Sequence, residues 1–265
     1  MNAWVASAVA FVTMAVAMAA GMAIGSRLSE TRYEDGSVKN LRTSVAIIAT
    51  MSSLLLGLMV NSARYNFSDA YSDVQKYAAV LQITDLNLLS FGAPACPLRG
   101  DLQAYARQLV AETWTSGDDE ASSGAAQVSA LAALLKFDTG IRNLKAGTSD
   151  QQDVRSTLLG LSRQLVEYRW KVTGVARTAT PVTFIFVVIC WFALIFLYSG
   201  VFAPRNALVL TGHALGMVGI SAAIFLVMEM GQPFTGPIKV SPAPVERLLL
   251  RMQAQPCPAV EPPQG

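Results

Sequence analysis

The chain has 265 residues, of which 52% are hydrophobic and 14% charged, with a mean hydropathy of +0.41. A soluble domain carries about 25% charged residues, so this composition excludes an ordinary soluble enzyme and points to a membrane protein. The net charge of +2 and pI of 8.5 offer no basic field for nucleic acid, and the single histidine, His213, excludes a His-rich metal site or a histidine triad.

The missing charge is concentrated in four stretches: residues 1–26, Arg42 to Arg64, Arg177 to Arg205, and Asn206 to Met228. Each is long enough for a helix to cross roughly 30 Å of hydrocarbon. A charge at the centre of such a helix costs about 2.5–3.5 kcal/mol, which is why the gaps are clean. The expected fold is therefore all-α, an integral membrane protein with helices at about 3–25, 43–63, 181–202 and 206–229. The first segment lacks the basic start of a signal peptide and exceeds its apolar core, so it reads as a retained helix. The expected location is the inner (plasma) membrane, as a multi-pass protein.

The first helix carries Gly21-x-x-x-Gly25, a ridge of Met14, Met18 and Met22, and Trp4 as an interface anchor. In the second, a period of about 100° per residue puts Thr43, Ala46, Thr50, Ser53, Gly57 and Asn61 on one face, edged by Ile47 and Leu54. Such a stripe lets helices approach closely, or lines a pore made by several subunits with Leu54 as a constriction. Thr50, Leu54, Gly57 and Asn61 are the candidate pore-lining or packing residues.

Residues 64–179 follow as a helical extramembrane segment with 12 basic and 12 acidic residues. Phe67, Ala70, Val74, Tyr77, Leu81, Thr84, Leu88 and Phe91 alternate spacings of three and four. Val154, Leu158, Leu161, Leu165, Tyr168, Val172 and Val175 do the same. These are the seams of a helix bundle or coiled coil, able to pair with each other or with another protein. Both helices are expected to run straight on from membrane helices. Leu98, Leu102, Tyr105 and Leu109 mark a shorter helix after a Phe91–Pro97 break, and Val128, Leu131, Leu135 and Ile141 mark another. Thr115–Gly124, with Asp118, Asp119 and Glu120, reads as a solvated loop rather than a cation site. Gly147–Asp150 is the next break, with Ser149 as the expected helix cap.

The third and fourth helices occupy the 180–230 region, joined by the tight Ala203–Asn206 turn in which Arg205 is a headgroup anchor. His213 is a packing residue one turn into the fourth helix, and Glu229 lies at its interfacial far end. The tail, residues 231–265, is proline-rich, with a short helix expected at about 244–253 and a disordered last ten residues. Four crossings put both termini and residues 64–179 on one side of the membrane. Basic residues at the 26–43 loop (Arg27, Arg32, Lys39, Arg42) and on the opposite side (Arg64, Arg169, Lys171, Arg177, Lys239) balance, so charge leaves the side open. Cys96 and Cys257 share that side: they form a disulfide if it is oxidising and are free thiols if it is cytoplasmic. Cys190 is a packed membrane-helix residue.

No Walker loop, Gly-x-Ser-x-Gly, Cys-x-x-Cys or paired-histidine spacing occurs, so neither an enzyme nor a cofactor or metal is expected. Other features are specific. They are Trp191-Phe192, Gly200-Val201-Phe202-Ala203-Pro204-Arg205-Asn206, Ala223-Ile224-Phe225-Leu226, Glu229-Met230, Gln232-Pro233-Phe234, Gly236 and Ser241. Upstream of them stand Leu56-Gly57-Leu58-Met59-Val60, Ser62-Ala63, Phe91-Gly92 and Arg99 through Leu109. Together, over about residues 40–252, they resemble the bacterial bestrophin-like family of unknown function. The resemblance implies four membrane helices with a helical segment between the second and third. Bestrophins proper are pentameric anion channels with an apolar neck on the second helix. Here that helix departs from the pattern, being polar and small except at Ile47 and Leu54, and the acidic calcium clasp of animal bestrophins is missing. The expected partners are the lipid bilayer and further copies of the chain. The activity expected by analogy is an oligomeric anion channel. The alternative is a non-conducting scaffold or sensor that engages a protein partner through residues 64–179.

Overall fold

A computed structural model describes residues 2–27, 35–115, 120–175, 182–204, 206–255 and 257. Among them are eight α-helices: α1 (Ala3–Arg27), α2 (Asp35–Phe91), α3 (Cys96–Val110), α4 (Glu120–Asn143), α5 (Ser149–Val175), α6 (Val182–Phe202), α7 (Ala207–Met230) and α8 (Ala243–Ala254). Stretches of α1, α2, α6 and α7 are long and apolar enough to cross a membrane. The expected spans agree with them to within two residues, except that the second is part of one unbroken 57-residue helix. The chain divides into two units, Met1–Phe67 with Thr178–Gln232 and Ser68–Arg177 with Pro233–Gly265, so the division falls inside α2.

In the first unit, α1 turns Ala3, Ala6, Ala10, Met14 and Met18 inward, against Ile185, Val188, Phe192 and Phe196 of α6 and Met217, Ile224 and Met228 of α7. The methionine ridge is thus a core face. Lipid is as apolar as these side chains, so the helices associate through close packing rather than through the hydrophobic effect. The contact is closest where glycines meet. A Cβ on Gly21 would lie 2.1 Å from the Leu197 carbonyl oxygen, and one on Gly200 would lie 2.3 Å from that of Met18. Gly212 of the analogous α7 motif has no such neighbour within 4 Å.

The second unit is built on the expected seams. Ala70, Val74, Tyr77, Leu81, Thr84, Leu88 and Phe91 of α2 are buried, as are Leu98, Leu102, Tyr105 and Leu109 of α3 and Leu158, Leu161, Leu165 and Val172 of α5. The two seams meet inside the chain: the Tyr77 and Tyr168 rings stack at 6.3 Å. Gln151 of α5 donates its Nε2 to the Phe91 carbonyl at 3.3 Å.

Three expectations need correction. Of the expected α4 positions Ile141 is buried but Leu135 is 57% exposed, and the helix buries Ala130, Leu134 and Phe137 instead, while the side chain of Val128 lies outside the described residues. Two adjacent leucines allowed either phase of the helix, and burial of the large Phe137 ring selects this one. Ser149 is the first residue of α5, not its cap. Thr148 Oγ1 accepts from the Gln151 N–H at 3.2 Å, while Gln151 Oε1 accepts from the Gly147 N–H at 2.8 Å. The loop expected at 115–124 is shorter, because a π-turn runs through Thr115 and α4 starts at Glu120. Residues 116–119, including Asp118 and Asp119, lie outside the described residues, as do residues 176–181 and all of the last ten except Cys257.

Substituting Val for Gly200 drives a side chain into the α1 backbone and should lower stability by about 1–3 kcal/mol. Gly212→Ala should leave stability within about 0.5 kcal/mol of the parent. Thermal unfolding in detergent distinguishes the two variants.

Candidate functional site

The membrane part of α2 is nearly bare. Only 6% of its apolar window is buried, against 33% for α6, and Ser52 and Ala63 are the buried positions between residues 43 and 63. One flank, with Leu55, Leu56 and Met59, touches the first unit's core. The striped face does not: Thr50, Gly57 and Asn61 are exposed, Leu54 is 65% exposed, and a Cβ on Gly57 would meet nothing within 4 Å. Arg64, seven residues beyond Gly57 and so on the same face, is exposed at its end. The hydroxyls are already bonded. Thr50 Oγ1 donates to the Ala46 carbonyl at 2.9 Å, and Ser53 Oγ donates to that of Ala49 at 2.9 Å. Outward they present oxygen lone pairs. On this face the donors left for an anion are the Asn61 amide and the Arg64 guanidinium at one end and the exposed Lys39 ammonium at the other.

The motif residues between α6 and α7 have structural roles. Asn206 caps α7, its Oδ1 accepting from the Val209 N–H at 2.8 Å, and its own N–H donates to the Pro204 carbonyl at 3.0 Å. Arg205 lies outside the described residues. His213 Nδ1 lies 2.8 Å from the Val209 carbonyl, so it carries the proton and Nε2 accepts from the Ser199 hydroxyl. Both ring nitrogens are satisfied, as a packing residue requires. Glu229, in the last turn of α7, is 5% exposed and so packed inside the protein.

The second unit holds two buried ion pairs that the periodicity did not reveal. Arg169 of α5 and Glu112 form a two-pronged pair at 2.9 and 3.1 Å, each side chain at most 5% exposed. Glu112 is delivered by the π-turn Ala111–Thr115, which also aims Trp114 Nε1 at the Val240 carbonyl, 2.6 Å away. The Trp114 ring meets Phe234 edge-on at 5.4 Å. That contact accounts for Pro233, Phe234 and Gly236 of the motif. The Pro233 carbonyl accepts from the Val240 N–H at 2.7 Å, and Gly236 turns the loop at φ 79°, a backbone region that favours glycine. Beside Arg169, the buried Tyr77 and Tyr105 hydroxyls bond to each other. Burial raises the Tyr105 hydroxyl above its usual 10.0, outweighing its hydrogen bond with Tyr77 and the nearby Arg169 charge.

The second pair joins Arg99 of α3 to Asp85 of α2 at 2.6 Å, both nearly inaccessible. The same guanidinium donates to the Met252 carbonyl at 3.1 Å and to the Gln255 carbonyl, closing the C-terminal end of α8. Beyond it, Cys257 is bonded to Cys96, the first residue of α3. Cys190 is free in α6. The signal for these charges was faint: Asp85 and Arg169 each adjoin a seam position, yet their partners are 14 and 57 residues away. Among the described residues, no three His, Cys, Asp or Glu side chains converge to hold a metal ion.

Arg169→Met leaves Glu112 buried and unpaired, so it should cost about 3–5 kcal/mol, whereas the Arg169→Met, Glu112→Leu double variant should recover most of that. Thermal unfolding of the three proteins in one detergent measures the difference. Because the native Tyr105 pKa lies above the unfolded value of 10.0, stability should hold below about pH 10. It should fall at higher pH, where the unfolded chain releases a proton that the native state keeps. Tyr105→Phe should lessen that decline in melting temperature measured against pH without abolishing it, because burial raises the neighbouring Tyr77 hydroxyl in the same way.

A Bestrophin-like domain model matches residues 7–245. The fold is similar to that of a variant of a bacterial bestrophin homologue from Klebsiella pneumoniae, at a TM-score of 0.67 and 12% identity over 94% of this chain and 98% of that one. A second crystal structure of the Klebsiella pneumoniae homologue matches at 0.63 and 14% identity, over 94% and 98% of the two chains. A crystal structure described as a membrane protein matches at 0.61 and 16%, over 80% and 88%. No curated protein matches the chain. With four candidate membrane spans, an all-helical fold and a domain match over nearly its whole length, the chain belongs to the Bestrophin-like family.

Proposed function

We propose that several copies assemble with their α2 faces around a common axis and form an anion-permeable path in the inner (plasma) membrane. In this reading residues 1–63 and 180–230 form the membrane part. Residues 64–179 stand outside it, on the same side as the 231–265 tail. The observation that carries the reading is the polar face of α2, exposed in the single chain and ending in Arg64. A membrane helix that leaves the Asn61 amide unburied on a face ending in Arg64 needs something other than lipid against it. Water in a shared pore meets that need, with Ile47 and Leu54, 56% and 65% exposed, as the apolar constrictions. The likeness to bestrophin homologues supports the assembly by analogy. Selectivity rests on few groups, because the outward lone pairs of Thr50 and Ser53 repel anions while Asn61 and a ring of Arg64 attract them. Weak selectivity is therefore the expectation.

The alternative is a non-conducting scaffold or sensor. The seams no longer favour it, since they are buried within the chain, but Ile83, Leu86, Trp170 and Leu250 leave apolar surface on the second unit. Purified protein in liposomes should pass chloride, Leu54→Ala should alter the flux, and Arg64→Glu should lower chloride permeability relative to potassium. Well-folded oligomers without flux would favour the scaffold. A chain that stays monomeric and partnerless in mild detergent would remove both.

A further inference from the structure

We propose that the second unit holds an anion site in the groove between α2 and α8, and that its ligand is a small molecule bearing a phosphate group. The groove has a volume of about 200 Å³. Pockets for drug-sized ligands run to about 300–1,000 Å³, so the occupant is small. The buried Ala78 and Leu248 lie at its base. Gln75 and Gln82, two turns apart on α2, line one side, and Arg247 and Arg251, one turn apart on α8, line the other. All of these residues belong to the second unit, so the inference does not rest on conduction through the membrane part.

The sequence of α8 explains how the two cations come to stand there. Val245, Leu248 and Met252 are its buried face, and the helical period then carries Arg247 and Arg251 together onto a flank. Arg247 Nε donates to the Ala243 carbonyl at 3.2 Å, which ties the stem to its own helix and leaves the two terminal nitrogens for a ligand. Among the described residues neither guanidinium has a carboxylate partner. Glu246, in the first turn of α8, does not line the groove, nor does any other acid. Like charges four residues apart on a helix repel each other, so the pair is left with uncompensated positive charge.

A phosphate group answers that charge. It carries about −1.5 to −2 at pH 7 and offers three acceptor oxygens. Guanidinium forks bind such oxygens in pairs, and the exposed Gln75 and Gln82 amides add N–H donors from the facing helix. Chloride has a single charge and no second oxygen with which to bridge the two arginines.

The test is calorimetric titration of the full chain in neutral detergent with inorganic phosphate, chloride holding the ionic strength constant. Saturable binding is expected, with a dissociation constant of about 1 mM or below, and glycerol phosphate should compete for it. Arg247→Gln and Arg251→Gln should each weaken binding about fivefold, and together remove it from the measurable range. Lys145→Gln, at an exposed cation outside the groove, should leave it unchanged. The three side chains are exposed, so each variant should melt with the parent protein. Absence of saturable binding to the parent chain would overturn the proposal. So would binding that survives the double substitution, or an equal loss in Lys145→Gln. Binding seen only with phosphatidic acid in mixed micelles would also overturn it, since the ligand would then be a lipid.

Discussion

Hydrocarbon cannot solvate a peptide group, and most of this structure follows from that constraint. Every N–H and C=O within the bilayer must bond inside its own segment, so the apolar stretches are helices without interruption. Hydroxyls obey the same demand, which is why Thr50, Ser52 and Ser53 donate to carbonyls one turn back instead of reaching outward. The constraint also removes the usual force for helix association. Close approach replaces it, and the crossing of Gly21 and Gly200 is where α1 and α6 come near enough for dispersion to count.

α2 meets two sets of demands with one unbroken helix. Between residues 43 and 63 it carries no charge and contributes little to the core of its own unit. From Ala70 to Phe91 the same helix buries a regular seam against α3 and α5, tied down by Asp85 at one point and Tyr77 at another. The helix is thus firmly packed at one end and bare at the other, and the bare face is the one on which the proposed assembly rests.

Arg99 and Arg169 do comparable work in the second unit. Each neutralises a buried carboxylate, and each links elements distant in sequence. Arg99 fastens α8 to α3, and Arg169 holds the π-turn that presents Trp114 to the tail loop. Such pairs add little net stability over apolar packing, but they tolerate few alternative arrangements, because a misplaced charge in the interior is expensive. The described part of the tail, through Gln255 and Cys257, is thus integral to the unit despite its proline-rich composition, and the Cys96–Cys257 bond closes a contact that Arg99 has already placed.

The amino-acid sequence by itself determined the four spans, the seam positions of α2 and α5, the break at Phe91–Pro97 and the short helix α8. Each depends on a local property: absence of charge over a membrane's thickness, a repeat of three and four, or a proline in a first turn. It also placed Thr50, Leu54, Gly57 and Asn61 on one face, because helical period alone does that. It could not phase α4, where Leu134 and Leu135 are equivalent until Phe137 finds its cavity, nor choose Thr148 over Ser149 as the cap, which depends on where Gln151 reaches. The pairings of Arg99 with Asp85, Arg169 with Glu112 and Cys96 with Cys257 were decided only by the tertiary structure. Partners separated by 14, 57 and 161 residues leave no periodic trace in the chain, and only the packed helices bring them within bonding distance.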